Sequence, residues 1–235
     1  QCHSCGRCSG HRDAVALSLR WPGSEIVASK PGDVGHYEAL LLLYGMLGFA
    51  IGAFQWTLTP GFVAAKQWLA TWLVEQGILW PLASNAPWWV LTHYAEVSDV
   101  FSWLDGAGIV AWLVGSALLV GGFAHLAAMG AARLARADWK VLALALVPMA
   151  AANLFLGLSM LTLTQLRSEG LVFHWLPQAR LTLLAVAWLG CVALSTGQLR
   201  RAGTPPWRSA AAATLVAAAA ALPVLLWVRA LDLLA

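Results

Sequence analysis

Gly106–Ala132, GAGIVAWLVGSALLVGGFAHLAAMGAA, is a run of 27 residues without an Asp, Glu, Lys or Arg, bounded by Asp105 and Arg133. A helix needs roughly 20 apolar residues to cross the hydrocarbon core of a bilayer. Four further uncharged runs resemble it. They are Ala39–Ala65 between Glu38 and Lys66, and Val141–Leu166 between Lys140 and Arg167. The last two are Leu181–Leu199 between Arg180 and Arg200, and Ser209–Val228 between Arg208 and Arg229. The pattern predicts five transmembrane helices, near 38–58, 104–128, 141–166, 181–199 and 209–229. The expected fold class is an all-α integral membrane bundle with a short N-terminal cysteine-rich loop.

Composition agrees. The chain is 60% hydrophobic and only 11% charged, against about 25% charged in soluble domains. A net charge of +3 is too small to point to nucleic acid, so the bilayer is the expected environment. The 14 Trp suit a protein with two membrane interfaces, where this side chain concentrates.

Basic residues set the expected orientation. Arg7, Arg12, Arg20 and Lys30 precede the first span. Arg133, Arg136 and Lys140 join the second to the third, and Arg200, Arg201 and Arg208 join the fourth to the fifth. The other side keeps Lys66, Arg167, Arg180 and Arg229. Lys and Arg accumulate in cytoplasmic loops, so the N-terminus is expected in the cytoplasm and the C-terminus outside. Residues 59–103 stand apart, with Trp68, Trp72, Trp80, Trp88, Trp89 and Trp103 punctuated by Pro60, Pro81 and Pro87. Residues 62–80 read as a helix carrying Lys66 and Glu75. A sixth span there would invert the charge bias that follows, so a helix lying in the outer interface is expected. The bland alternative is a loop packed over the bundle.

Within the spans, Gly48-x3-Gly52 and the nearly all-alanine stretch 209–222 allow close helix approach. Pro148 and Pro223 are expected to kink the third and fifth spans. Asn153 lies mid-span, with Thr162, Thr164 and Gln165 further out, and interhelical hydrogen bonding is their expected role. Apart from Glu38, Asp105 and Arg229 at the very ends, no charged side chain occurs inside a predicted span, which counts against an ion pump, a proton relay or a voltage sensor. An odd number of spans without an evident internal repeat counts against a transporter.

The chemistry-bearing motif lies ahead of the helices, in Gln1-Cys2-His3-Ser4-Cys5-Gly6-Arg7-Cys8-Ser9-Gly10-His11-Arg12. Cys2, Cys5 and Cys8 form the C-x2-C-x2-C front of an iron–sulfur ligand run, whose bacterial form continues x3-C-P. Here the fourth position is Arg12 and no proline follows. Three closely spaced cysteines can wrap one face of a [4Fe–4S] cubane while the fourth ligand comes from elsewhere, as between the two motifs of two-cluster ferredoxins. A chain opening on Gln1 is expected to be processed or cut from a longer one, whose upstream part would supply that ligand. Cytosolic thiols favour metal ligation over disulfides. His11 leaves a Cys3His zinc site open as an alternative, and a motif without metal is the bland one. Cys191 lies mid-span and reads as a small buried hydrophobe.

This opening resembles the bacterial membrane-anchored 4Fe–4S ferredoxin-type proteins, the polyferredoxin-like quinol dehydrogenase and oxidase-accessory group. The resemblance rests on Cys2, Cys5 and Cys8 and on the plan of cluster plus helices. Arg12 in place of the fourth cysteine, and helices that follow the cluster instead of preceding it, depart from that group. The resemblance implies an electron relay between a membrane quinol pool, or a metal-centre assembly pathway, and a redox protein partner in the bacterial inner membrane.

The chain thus divides into 1–36, the cytoplasmic end of a ferredoxin-type segment, and 37–235, the transmembrane domain. The expected function is iron–sulfur electron transfer, with a non-enzymatic anchor or assembly factor for a respiratory metalloenzyme as the alternative. His36, Tyr37 and His125 lie at the inner ends of the first two spans and are the candidate quinone contacts. A His pair can also ligate haem, but only His125 lies within a span. His93, Glu96 and Asp99 recur at i, i+3 and i+6, a spacing that suits a metal or proton-accepting face and also an ordinary wetted one.

Overall fold

The computed structural model describes residues 26–27, 32, 34–55, 60–82, 103–171, 173–231 and 233. Five helices are long and apolar enough to cross a membrane, and a shorter one lies between the first and second of them. We number the six in chain order: α1 (His36–Phe54), α2 (Pro60–Glu75), α3 (Gly106–Ala135), α4 (Trp139–Met160), α5 (Leu176–Arg201) and α6 (Pro206–Ala230). No strand occurs among the described residues. All five predicted spans are present, and their charged bounds mark most ends to within a few residues; the first span is the exception, ending at Phe54 well short of Lys66, which lies inside α2. The protein is therefore a multi-pass helical membrane protein.

The spans close into a ring. α1 packs on α3, α3 on α6, α6 on α5, α5 on α4, and α4 returns to α1. Two kinds of seam hold it together. The α3–α6 seam is rich in alanine on both sides, with Val216 buried among the alanines of α6 and Leu215 reaching Gly130 of α3. Ala124, Ala127, Ala128, Ala131 and Ala135 are buried on α3, and Ala212, Ala213, Ala219 and Ala220 on α6. In lipid there is no hydrophobic force between helices, so association rests on close packing, which small side chains permit.

The α1–α3 seam is glycine, and both helices widen there into π turns, at Leu41–Phe49 and at Ala117–Gly121. A Cβ on Gly48 would lie 2.7 Å from the Ala117 Cα, and one on Gly121 would lie 2.8 Å from the Leu43 carbonyl oxygen. A Cβ on Gly52 would meet Ser116 Oγ at 2.8 Å. The Gly48-x3-Gly52 pair is thus a packing motif, as its spacing predicts. Its partner, Gly121, was not signalled by the sequence.

The expected polar bonding at Asn153 is present and central. Asn153 is 0% exposed, and its Nδ2 donates to the Met46 carbonyl at 2.8 Å and the Leu47 carbonyl at 3.3 Å. Its Oδ1 accepts from Trp227 Nε1 at 2.7 Å, and Trp227 is also 0% exposed. One amide therefore ties α4 to the π segment of α1 and to α6. Pro148 lies near the start of the regular α-helical part of α4. The backbone tightens into a 3₁₀ turn at Leu144–Leu146 just ahead of it, because proline offers no N–H to the preceding turn. Pro223 is buried inside α6.

A helix also fills most of the predicted 62–80 segment. α2 is followed by a 3₁₀ turn at Trp80–Leu82, and Trp68, Trp72 and Trp80 are exposed along this stretch. α2 is not among the helices long and apolar enough to span.

Candidate functional site

The end of the bundle that gathers Arg133, Arg136, Lys140, Arg200, Arg201 and Arg208 is called the basic end here. The connection from α3 to α4 builds the candidate site there. Arg136 ends α3 in the left-handed region with φ 56°, and its N–H reaches the Ala132 carbonyl. Two residues later Asp138 caps α4, accepting from the Lys140 N–H at 3.0 Å and pairing with Lys140 Nζ at 3.4 Å. So tight a corner turns Trp139 back against the face of α3 that carries His125.

The rings then converge. Trp139 lies 4.6 Å from His125 between centroids, tilted by 38°, and 5.4 Å from His36, edge-on. Across the α1–α3 seam, the Tyr44 hydroxyl is hydrogen-bonded to His125 Nδ1 at 3.1 Å. The glycine contacts bring the two backbones close enough for this bond, since Gly121 sits directly on Tyr44. Tyr37 stands 85% exposed with its ring edge-on to that of His36. Beside Trp139, a shallow cleft lined by Met129, Ala132, Arg133, Ala137 and Asp138 opens along the same stripe of α3.

Of the three residues picked from sequence, the structure brings His36 and His125 together through Trp139 and leaves Tyr37 at the rim. Tyr44 and Trp139 were missed. A depth argument would have found Tyr44: it lies eight positions beyond His36, and His125 eight positions before Arg133. At 1.5 Å per residue both are about 12 Å inside the basic end. Trp139 carries no such signal, because its place depends on the turn at Arg136.

This cluster offers one imidazole and one phenol hydroxyl in contact. Either can donate or accept, depending on which imidazole nitrogen carries the proton. His125 Nδ1 is engaged by Tyr44, which leaves Nε2 as its second hydrogen-bonding nitrogen. That is a hydrogen-bonding edge for a polar head group, with an indole ring as its wall.

Cys2, Cys5, Cys8, His11, Arg12, His93, Glu96 and Asp99 lie outside the described residues. Among the described residues, no group of three or more His, Cys, Asp or Glu could hold a metal. Cys191 is a buried free cysteine in α5, as expected. Thr162 is exposed two residues beyond Met160, on the helical stretch that continues from α4 to Ser168.

The chain matches no known protein family, no curated protein and no solved structure. What the fold defines is the class, a five-span helical membrane protein.

Proposed function

We propose that the chain is a membrane-bound iron–sulfur electron-transfer protein, with Cys2, Cys5 and Cys8 as ligands of a [4Fe–4S] cluster on the cytoplasmic side of a bacterial inner membrane. The observation that carries the reading is the C-x2-C-x2-C run placed ahead of α1, whose N-terminal end is also where the Tyr44–His125–Trp139 cluster lies. The donor chemistry fits: three closely spaced thiols are the soft ligands that such clusters take. The fourth ligand comes from beyond these three residues, as in paired ferredoxin motifs. A redox protein partner receives or delivers the electrons.

The bundle contributes a place for a quinol head group at the same end. A bound quinol supplies two electrons and two protons. His125 is the residue placed to exchange a proton, since an imidazole can both give and take one, with Tyr44 holding its ring and His36 on the aqueous side of Trp139. Spans without charged residues keep this exchange at the basic end. The rival reading, a non-enzymatic anchor for a respiratory enzyme, keeps the same fold and makes the cluster of rings a packing feature.

α2 belongs in the outer interface, with Trp68 and Trp72 one helical turn apart on its exposed surface. Reporter fusions in 129–140 and 201–207 should read cytoplasmic, and fusions in 85–95 should read external. A cytoplasmic signal in 85–95 would make α2 a sixth span.

Iron and acid-labile sulfide analysis tests the cofactor. The unmodified protein should contain both, Cys5→Ser should lose both, and Cys191→Ser should keep both. Stoichiometric zinc without sulfide in the unmodified protein would refute the iron–sulfur reading.

A further inference from the structure

Ile26 and Val27 form a helical turn ten positions ahead of α1, yet they rest on α5. Gly197 faces Val27: a Cβ on the glycine would lie 3.1 Å and 3.2 Å from the two valine methyls. The next residue, Gln198, is 5% exposed. Its Nε2 donates to the Ile26 carbonyl at 3.2 Å and to the Val141 carbonyl at 2.8 Å. One amide therefore joins the N-terminal segment, α4 and α5.

A glutamine is an expensive residue for this place. Its Oε1 is buried without a hydrogen-bond partner among the described residues, and an orphaned buried acceptor is destabilising. A leucine would fill similar volume without that cost. Helices α4 and α5 pack along each other over their apolar lengths, so their association does not require the amide. What the amide adds is a grip on the backbone of the segment that arrives from Cys8. Gly197 adds the room for Val27 to lie flat on the helix.

We propose that the basic end of α5 is a docking seat for the chain between the cysteine motif and α1, with Gly197 and Gln198 as its positioning residues. Ile26 and Val27 are fastened on α5, and through the Gln198 amide to α4, ahead of α1, so the chain toward the cysteine motif leaves the bundle from a fixed point. Helix α4 begins with Trp139, so the tether and the ring cluster share an element. The docking stands independently of the cofactor; only its consequence for electron transfer rests on the iron–sulfur reading.

Hydrogen exchange on the full chain in lipid nanodiscs tests the seat. Gly197→Val should speed exchange of the Ile26 and Val27 amides by about tenfold or more, as expected when a docked segment opens locally, with the spans unchanged. Val27→Ala introduced beside it should slow that exchange again by making space. Val27→Asp perturbs the segment without touching a span, and should give the same rise if Gly197→Val fails to fold. Unchanged exchange in both Gly197→Val and Val27→Asp would overturn the docking. Gln198→Leu tests positioning. It should leave iron content intact and slow quinol-dependent reduction, whereas an unchanged rate with faster exchange would reduce the contact to a structural one. If the unmodified protein holds no cluster, the iron–sulfur reading fails, and exchange alone decides the seat.

Discussion

Helix α3 shows two different faces. Toward α6 it is mostly alanine against alanine in regular helix. Toward α1 it is glycine on backbone, with both helices widened into π turns and a Tyr44–His125 hydrogen bond at the basic end of the contact. The alanine seam has one task, close approach, and many small side chains share it. The glycine seam has two, because the same approach that packs the backbones also delivers a phenol to an imidazole. π turns are uncommon and recur at functional sites, and here the longer one also presents the Met46 and Leu47 carbonyls to Asn153. Substitution on the α1 side of α3 should therefore affect both packing and chemistry, and substitution on the α6 side stability alone.

The strongest way to break the comparison is Gly121→Leu. A side chain there collides with the α1 backbone at Leu43 and Tyr44 as well as with the Tyr44 ring, so the two helices must separate. Folded protein recovered after extraction should fall to a small fraction of normal, measured by size-exclusion profile. Normal recovery would mean that the glycine seam is not closely packed.

Asn153→Leu comes next. It leaves Trp227 Nε1 and the Met46 carbonyl without their partner, at a cost of about 1–3 kcal/mol for each buried group orphaned. A clear fall in thermal unfolding temperature should follow. Polar pairs in membranes are often worth less, about 0.6 kcal/mol on average, so a negligible shift would show that lipid or water replaces the lost bonds.

His125→Leu separates chemistry from packing. Quinol-dependent cluster reduction should slow by about tenfold or more, since positioned proton exchange contributes at least that much in enzymes. Cluster content and thermal stability should stay nearly unchanged. The anchor reading expects the reverse: altered stability and an unaltered rate in the protein that survives. The smallest effect belongs to the alanine face. Ala128→Gly should cost about 1 kcal/mol of helix propensity and leave the reduction rate alone. A slowed rate there would dissolve the distinction between the two faces.

The architecture was legible because it follows from charge spacing. Lys140 and Arg167, or Arg180 and Arg200, bound runs of the right length, and burial in lipid leaves them no other structure than helix. Gly48 and Gly52 were legible as a motif, and Asn153 as a mid-span polar group that needs a partner. Which partner it takes was not, because Trp227 and the α1 carbonyls come from helices whose neighbours depend on the ring order. The site was half legible. His36 and His125 follow from depth alone, and Tyr44 was within reach of the same reasoning. Trp139 and the Gln198 seat depend on how the chain turns at Arg136 and where the segment ahead of α1 runs, and no local pattern encodes either.

In the proposed electron route, a cluster on Cys2, Cys5 and Cys8 exchanges electrons with a quinol bound beside His125. Low-temperature EPR of the full-length protein, mixed anaerobically with a short-chain quinol, tests it most directly. The account predicts a reduced-cluster signal that grows after mixing, is absent in Cys5→Ser, and grows more slowly in His125→Leu. A protein that gives no such signal with quinol or with a strong chemical reductant would contradict it.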